Sequence, residues 1–216
     1  MRIGVLGTGS VGRAIASRLV ELGHEVTLGS RSAHNETAVE WVAAQPERAH
    51  AGTFADAAGF GELVFNCTRG DASLTALELA GAEALGTKVL VDVANPLDFS
   101  KGMPPSLTVK DTDSLSEQIQ RAFPNVRVVK SLNTMNSDIM VHPQELGSAH
   151  VVFMSGNDAE AKVQVRGLLR EFGWADDSIL DLGDISTARG VEMFLPLWLR
   201  IYGARGNGKF NIGIVG

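Results

Sequence analysis

A run of six residues near the start of the chain constrains its fold more than anything else in it. The short apolar segment Arg2-Ile-Gly-Val-Leu6 leads directly into Gly7-Thr8-Gly9-Ser10-Val11-Gly12. An amphipathic stretch follows, with Val11, Ala14, Ile15, Leu19 and Leu22 recurring at helical spacing until Gly23 stops it. This order predicts strand, tight turn and helix. In Gly-x-Gly-x-x-Gly the first glycine permits the turn and the second lets backbone approach a pyrophosphate. The third lets helix and strand pack closely, with the phosphates over the helix's first N–H groups. Glycine clusters alone are common in loops; the flanking strand and helix point to a dinucleotide site. Gly7, Thr8, Gly9, Ser10, Val11 and Gly12 are its first candidate residues.

The next segment narrows the ligand. His24 to Gly29 predicts a second strand, ending in Ser30-Arg31-Ser32 about 20 residues beyond the glycine turn. An acidic residue there would hold an adenosine ribose 2′-hydroxyl. Ser30, Arg31 and Ser32 instead offer hydroxyls and a guanidinium, which suit a 2′-phosphate and favour NADP over NAD.

Strands and helices then alternate. The pattern predicts a helix over 35–45 ended by Pro46, a weak strand over 49–53 and a turn or short helix at 56–58. A buried strand over 62–68 follows, then a helix over 73–85, a strand over 88–94 and an excursion rich in Pro, Gly and Ser over 98–113. Further elements are a helix over 114–123, a strand over 126–131, a strand over 151–154, a helix over 158–172 and a short strand over 179–182. The expected fold is α/β: a doubly wound, mostly parallel sheet of the Rossmann kind with a small C-terminal helical extension. Residues 1–184 form the expected cofactor-binding domain, and 185–216 a C-terminal subdomain made of a long helix and a terminal strand over 210–215. Apolar residues surround that helix from Val191 to Ile201, with Pro196 expected to kink it. Both of its faces should therefore be buried, one against a second subunit in a homodimer.

Ligands of such folds sit outside the carboxyl ends of the strands. That rule brings in Thr68 and Arg69, with Ser73 opening the following helix, then Asn95, Pro96 and Leu97, and finally Asn133, Thr134 and Met135. Cys67 reads as a small core residue. Lys130 is the best remaining proton donor, although a lysine on a buried strand is more often structural.

Composition excludes several classes. A formal charge of −6 speaks against nucleic acid as a partner. One cysteine excludes an internal disulfide framework, and no apolar stretch is long enough to span a membrane. With no signal peptide in evidence, a reducing, cytoplasmic setting is expected. The five histidines lack metal-ligand spacing, and no Ser-His-Asp arrangement is readable, so no metal and no catalytic acid or base is expected. Gly203 to Lys209 superficially resembles a phosphate-binding P-loop, but Phe210 stands where Ser or Thr is required.

The assembled features resemble the coenzyme F420-dependent NADP oxidoreductases over nearly the whole chain. The similarity rests on the glycine turn, Gly23-His24-Glu25, Gly29-Ser30-Arg31 and Val129-Lys130-Ser131-Leu132-Asn133-Thr134. Leu195-Pro196-Leu197-Trp198 and Gly208-Lys209-Phe210-Asn211 extend it to the C-terminus. The resemblance implies a hydride moved directly between NADP(H) and a deazaflavin, coenzyme F420, with no side chain acting as acid or base. It implies Thr8 to Val11 on the pyrophosphate and Ser30 and Arg31 on the 2′-phosphate. Asn35 stands where the family carries a basic residue that assists that phosphate. Nicotinamide and acceptor would meet among Arg69, Asn95, Pro96, Leu97, Asn133, Thr134 and Met135, where Arg69 and Asn95 replace apolar residues. Two other readings stay open: an NADPH-dependent reductase of another small carbonyl, imine, quinone or metal-chelate acceptor, and a protein that binds or senses NADP(H) without turnover.

Overall fold

A computed structural model describes residues 1–45 and 47–215; the Pro46 helix stop lies outside them. The chain runs β1 (Arg2–Leu6), α1 (Ser10–Glu21), β2 (Glu25–Ser30), α2 (Glu36–Ala43), β3 (Ala49–Thr53), α3 (Phe54–Phe60) and β4 (Leu63–Asn66). It continues with α4 (Ser73–Ala80), α5 (Ala82–Leu85), β5 (Val89–Asp92), β6 (Leu97–Asp98), β7 (Ser106–Leu107), α6 (Leu115–Ala122) and β8 (Arg127–Ser131). The last elements are α7 (Ser137–Val141), β9 (Val152–Gly156), α8 (Ala159–Phe172), β10 (Ile179–Asp181), α9 (Ala188–Met193) and α10 (Leu195–Arg205).

Eight strands form one sheet in the order β10-β9-β8-β5-β4-β1-β2-β3. All neighbours are parallel except β8 and β9. The short β6–β7 hairpin stands apart and occupies the predicted 98–113 excursion. Both faces of the sheet are covered, which is why its strands read as continuous apolar runs. Side chains alternate between two apolar clusters, as a period of two requires. Ile3, Val5, Leu63, Phe65, Val89 and Val91 face one, with α1, α2, α7 and α8 over it. Leu6, Val64, Leu90 and Val128 face the other, under α3, α4 and α6.

Helix boundaries follow local chemistry. Asn35, Thr53, Ser114, Asn136 and Asp158 each accept a hydrogen bond from the first turn of the helix they precede. Thr53 and Asp56 form a reciprocal capping box, so the short helix expected around 56 extends over seven residues.

Several expectations need correction. The helix over 73–85 is two helices, because Gly81 at φ 89° breaks it. The long C-terminal helix is also divided. A 3₁₀ turn at Ile185–Thr187 and α9 precede α10, and Pro196 sits in the first turn of α10, where proline is tolerated, instead of kinking a helix interior. Nor is α10 buried on both faces: Leu195 is its one buried residue, while Leu197 and Tyr202 are 56% and 42% exposed. Finally, 210–215 adopt no strand; a hydrogen bond from the Val151 N–H to the Ile212 carbonyl fastens this segment beside β9.

Candidate functional site

The order of strands reverses between β1 and β4, the point where a doubly wound sheet opens a crevice. A cleft of about 710 Å³ lies there, lined by Gly7, Thr8 and Gly9 after β1, by Ser30, Arg31, Ser32 and Asn35 after β2, and by Cys67, Thr68 and Arg69 after β4. A smaller cavity of about 180 Å³ continues from it, sharing Cys67, Thr68, Arg69 and Asp71 and adding Val11, Val93, Ala94, Asn95, Leu97 and Phe99.

The glycine turn is built for close approach. Gly7 has φ 112°, and a side chain there would press on the Cys67 carbonyl. A Cβ on Gly12 would collide with the Gly7 carbonyl oxygen, so α1 can pack on the turn only without one. Space above Gly9 is open, and no side chain caps α1. Free N–H groups and the positive end of the helix therefore face the cleft, as an anionic pyrophosphate requires.

At the far end of the cleft Ser30 is buried. Its Oγ donates to the Ser32 carbonyl at 2.7 Å and accepts from the Ser32 N–H at 3.1 Å, so it shapes the turn. Arg31 and Ser32 are exposed beside it. Asn35 spends its Oδ1 capping α2, which accounts for an amide at that position.

Not every predicted residue reaches a cavity. Ser10, Gly12, Ser73, Pro96, Asn133, Thr134 and Met135 line neither. Buried Ser73 supports the loop after β4: it accepts from Asn66 Nδ2 at 3.1 Å, lies 2.9 Å from Thr68 Oγ1 and donates to the Arg69 carbonyl. Asn133 and Asn95 lock together, Asn95 donating to the Asn133 carbonyl and Asn133 to Asn95 Oδ1, both at 2.9 Å. Asn133 also donates to the Val191 carbonyl at 3.1 Å, and the left-handed Leu132 (φ 64°) turns the chain into this lock.

Two ionisable sites touch the smaller cavity. Burial pushes the Cys67 thiol far above its ordinary pKa, with Asp92 adding to the shift, so it stays protonated and inert. Arg69 forms a bidentate pair with Asp71 at 3.1 and 2.5 Å, on the surface. Behind the wall lies a larger charged group, wholly buried. Lys130 Nζ stands 2.9 Å from both Asp92 Oδ2 and Glu192 Oε1 and also donates to the Ala94 carbonyl. Burial opposes the Lys130 cation, but the two carboxylates outweigh it and hold its pKa above the ordinary lysine value. Lys130 itself lines neither cavity; it donates to Asp92, to Glu192 and to the backbone of Ala94, which does line the smaller one.

Several lining residues escaped sequence reasoning. Ala72, Thr75, Ala76 and Leu79, running from the N-cap along α4, carried a helical-spacing signal. Phe54, Phe99 and the supporting Asn66 carried none. Among the described residues no group of His, Cys, Asp and Glu could hold a metal ion, and no helix is long and apolar enough to cross a membrane.

Fold and site together define a doubly wound α/β protein with a glycine-turn cleft at the switch point of its sheet. Residues 2–96 match the family described as NADP oxidoreductase, coenzyme F420-dependent. A crystal structure from Arthrobacter sp. FB24, provisionally assigned as an F420-dependent NADP-reductase, is 52% identical, with each chain covered completely and a TM-score of 0.95. This chain belongs to the coenzyme F420-dependent NADP oxidoreductase family. Membership of that oxidoreductase family supports NADP(H) binding and an enzymatic role. Rat (Rattus norvegicus) metalloreductase STEAP3 is 29% identical over 203 residues, covering 91% of this chain but 38% of its own length. The chain thus spans well under half of that curated relative. A reductive aminase from Aspergillus terreus in complex with NADPH shares the fold, at 22% identity and a TM-score of 0.66 over 95% of this chain and 62% of its own.

Proposed function

We propose that this protein moves a hydride between NADP(H) and a deazaflavin acceptor of the F420 type, directly from ring to ring. The observation that carries this reading is the chemistry of the smaller cavity. Its walls are mainly apolar, from Val11, Val93, Ala94, Leu97 and Phe99, and its ionisable groups are an inert thiol and a surface ion pair. Neither is suited to deliver a proton at neutral pH. An acceptor reduced there must take a hydride and delocalise the charge itself, as a conjugated ring does. The nicotinamide supplies the hydride; the chain binds, orients and excludes water.

In this reading the N–H groups at Gly9, Ser10 and Val11 hold the pyrophosphate. Arg31 and Ser32 bind the 2′-phosphate on the turn that Ser30 shapes. Thr68, Arg69, Asn95 and Leu97 border the reacting rings, and Gly12, Ser73, Pro96, Asn133, Thr134 and Met135 support that border from behind. Residues 185–216 serve as a C-terminal cover and dimerisation element, the exposed side of α10 meeting a second copy. A reducing cytoplasm fits a chain whose single cysteine is free.

The test mixes protein, NADPH and oxidised F420 and follows loss of the nicotinamide absorbance. Turnover with F420 is expected; tight NADPH binding without turnover on any acceptor would overturn the catalytic reading. A second reading, a reductase of another small acceptor, is favoured by the relatives named metalloreductases. Turnover with a ferric chelate or quinone but not F420 would select it.

A further inference from the structure

The Asp92–Lys130–Glu192 group is used by no step above, yet it is the most completely buried set of charges among the described residues. Two carboxyl groups share one ammonium, and all three side chains are sealed from solvent. Buried ion pairs recover little stability once desolvation is counted, and apolar replacements often stabilise more. Stability alone does not account for it. Its hydrogen bonds lead instead to the smaller cavity, from two sides.

Asp92 Oδ1 accepts from Asn66 Nδ2 at 2.8 Å, and Asn66 in turn accepts from Thr68 Oγ1 at 2.6 Å, which fixes one wall. Asp92 Oδ1 also accepts the Ala94 N–H at 3.2 Å while Lys130 holds the Ala94 carbonyl, which fixes a second, adjoining wall at Ala94 and Asn95. Glu192 Oε2 accepts from the Leu115 N–H at 2.8 Å and its Oε1 from the Ser116 N–H at 3.3 Å, so the carboxylate from α9 sits on the N-terminus of α6. Ser116 Oγ closes the set on Asp92 at 2.6 Å. At Val191, the residue before Glu192, Asn133 joins α9 to Asn95 on the same wall.

We infer that Lys130 is a positioning residue: with Asp92 and Glu192 it clamps both walls of the cavity where the rings meet and ties α9 to them. The inference rests on the proposed function for its kinetic consequence, but its structural consequence is independent of any ligand. Amide hydrogen exchange on the free protein tests the latter. Lys130→Met should speed exchange about tenfold or more at 93–97 and at 115–116, while residues 2–30 change less than about twofold. A uniform rise throughout, as from a merely structural loss, or no rise at 93–97 would overturn the clamp. Where Lys130→Met fails to fold, Glu192→Gln, which keeps the Lys130–Asp92 pair, decides. It should speed exchange at 115–116 and 188–195 alone, and unchanged exchange there would overturn the tie.

Kinetics with NADPH and F420 give the second readout. Lys130→Met should lower kcat roughly tenfold or more and leave KM for NADPH within about threefold, because the phosphate cradle is untouched. A raised KM with unchanged kcat would overturn a positioning role. If the unaltered protein neither binds nor oxidises NADPH, the proposed function fails, and the exchange pattern still decides the clamp.

Discussion

Arg31 and Gly12 work at opposite ends of the cleft, and each can be tested alone. Arg31 is exposed and its guanidinium has no acidic partner among the described residues, so it is available to a phosphate. Arg31→Ala should weaken NADP binding by about 1.5–3 kcal/mol, the scale of a charged hydrogen bond, and leave NAD binding nearly unchanged. Calorimetric titration with both nucleotides measures this, and equal losses would remove the 2′-phosphate from Arg31. Gly12→Ala drives a methyl into the Gly7 carbonyl oxygen, so α1 must shift off the turn. Overpacking of this kind costs about 1–3 kcal/mol, read as a lower urea midpoint, with NADPH affinity falling as well. Unaltered affinity would mean that the α1 N-terminus does not hold the pyrophosphate. Both residues were legible in the sequence because their tasks are local: the glycine answers to a carbonyl five residues back, and the arginine follows its strand. Phe99 and Asn66 were not, since the cavity that Phe99 lines and the Asp92 that Asn66 meets are brought to them by other parts of the fold. The same holds for Lys130, whose partners lie 38 and 62 positions away.

Among the elements, α6 is anchored to α9 twice, once through Glu192 and once through Glu117. Arg189 Nε donates to Glu117 Oε2 at 2.8 Å, and this pairing holds the Glu117 carboxyl below the usual glutamate range, burial opposing it and Ser114 assisting. A carboxylate depressed in the folded state stabilises above its unfolded pKa, about 4.3, and that stability is lost as pH falls through the folded value. Arg189 is partly exposed, so solvent screening limits the contribution to a small amount. Urea unfolding at pH 7 should show Arg189→Ala destabilised by that amount, with the difference from the parent shrinking below pH 4.3. A difference independent of pH would assign the loss to packing instead. The parallel strands were readable because burial on both faces makes each an apolar run. The C-terminal helices were misjudged because a segment apolar all round does not say which neighbour covers which side. Gly81 broke a helix whose apolar spacing carried on across it.

At the scale of the whole molecule, α10 leaves Leu197 and Tyr202 on the surface, among several exposed apolar side chains that include Met103, Val163 and Met193. Exposed apolar helix faces of this kind are rarely left to water. A homodimer through α10 is therefore expected in light scattering after size exclusion. Leu197→Glu, placing a charge in that contact, should raise the dimer Kd roughly tenfold or more while leaving NADPH binding by each subunit intact. A monomeric parent would end that expectation.

The reversal of strand order between β1 and β4 has a mechanical side as well. To one side of that seam lie β1, β2 and β3, and to the other β4, β5, β8, β9 and β10. On the proposed reading a dinucleotide in the cleft would touch the turn after β2 and the loops after β4 and β5, and so would bridge the seam as a removable cross-link. Whatever free energy it gains by binding is returned as resistance to the two wings parting, in proportion to the logarithm of its concentration. The cofactor would then be a strut of the sheet as well as a reagent, and a cell's supply of it would set how firmly the sheet holds together.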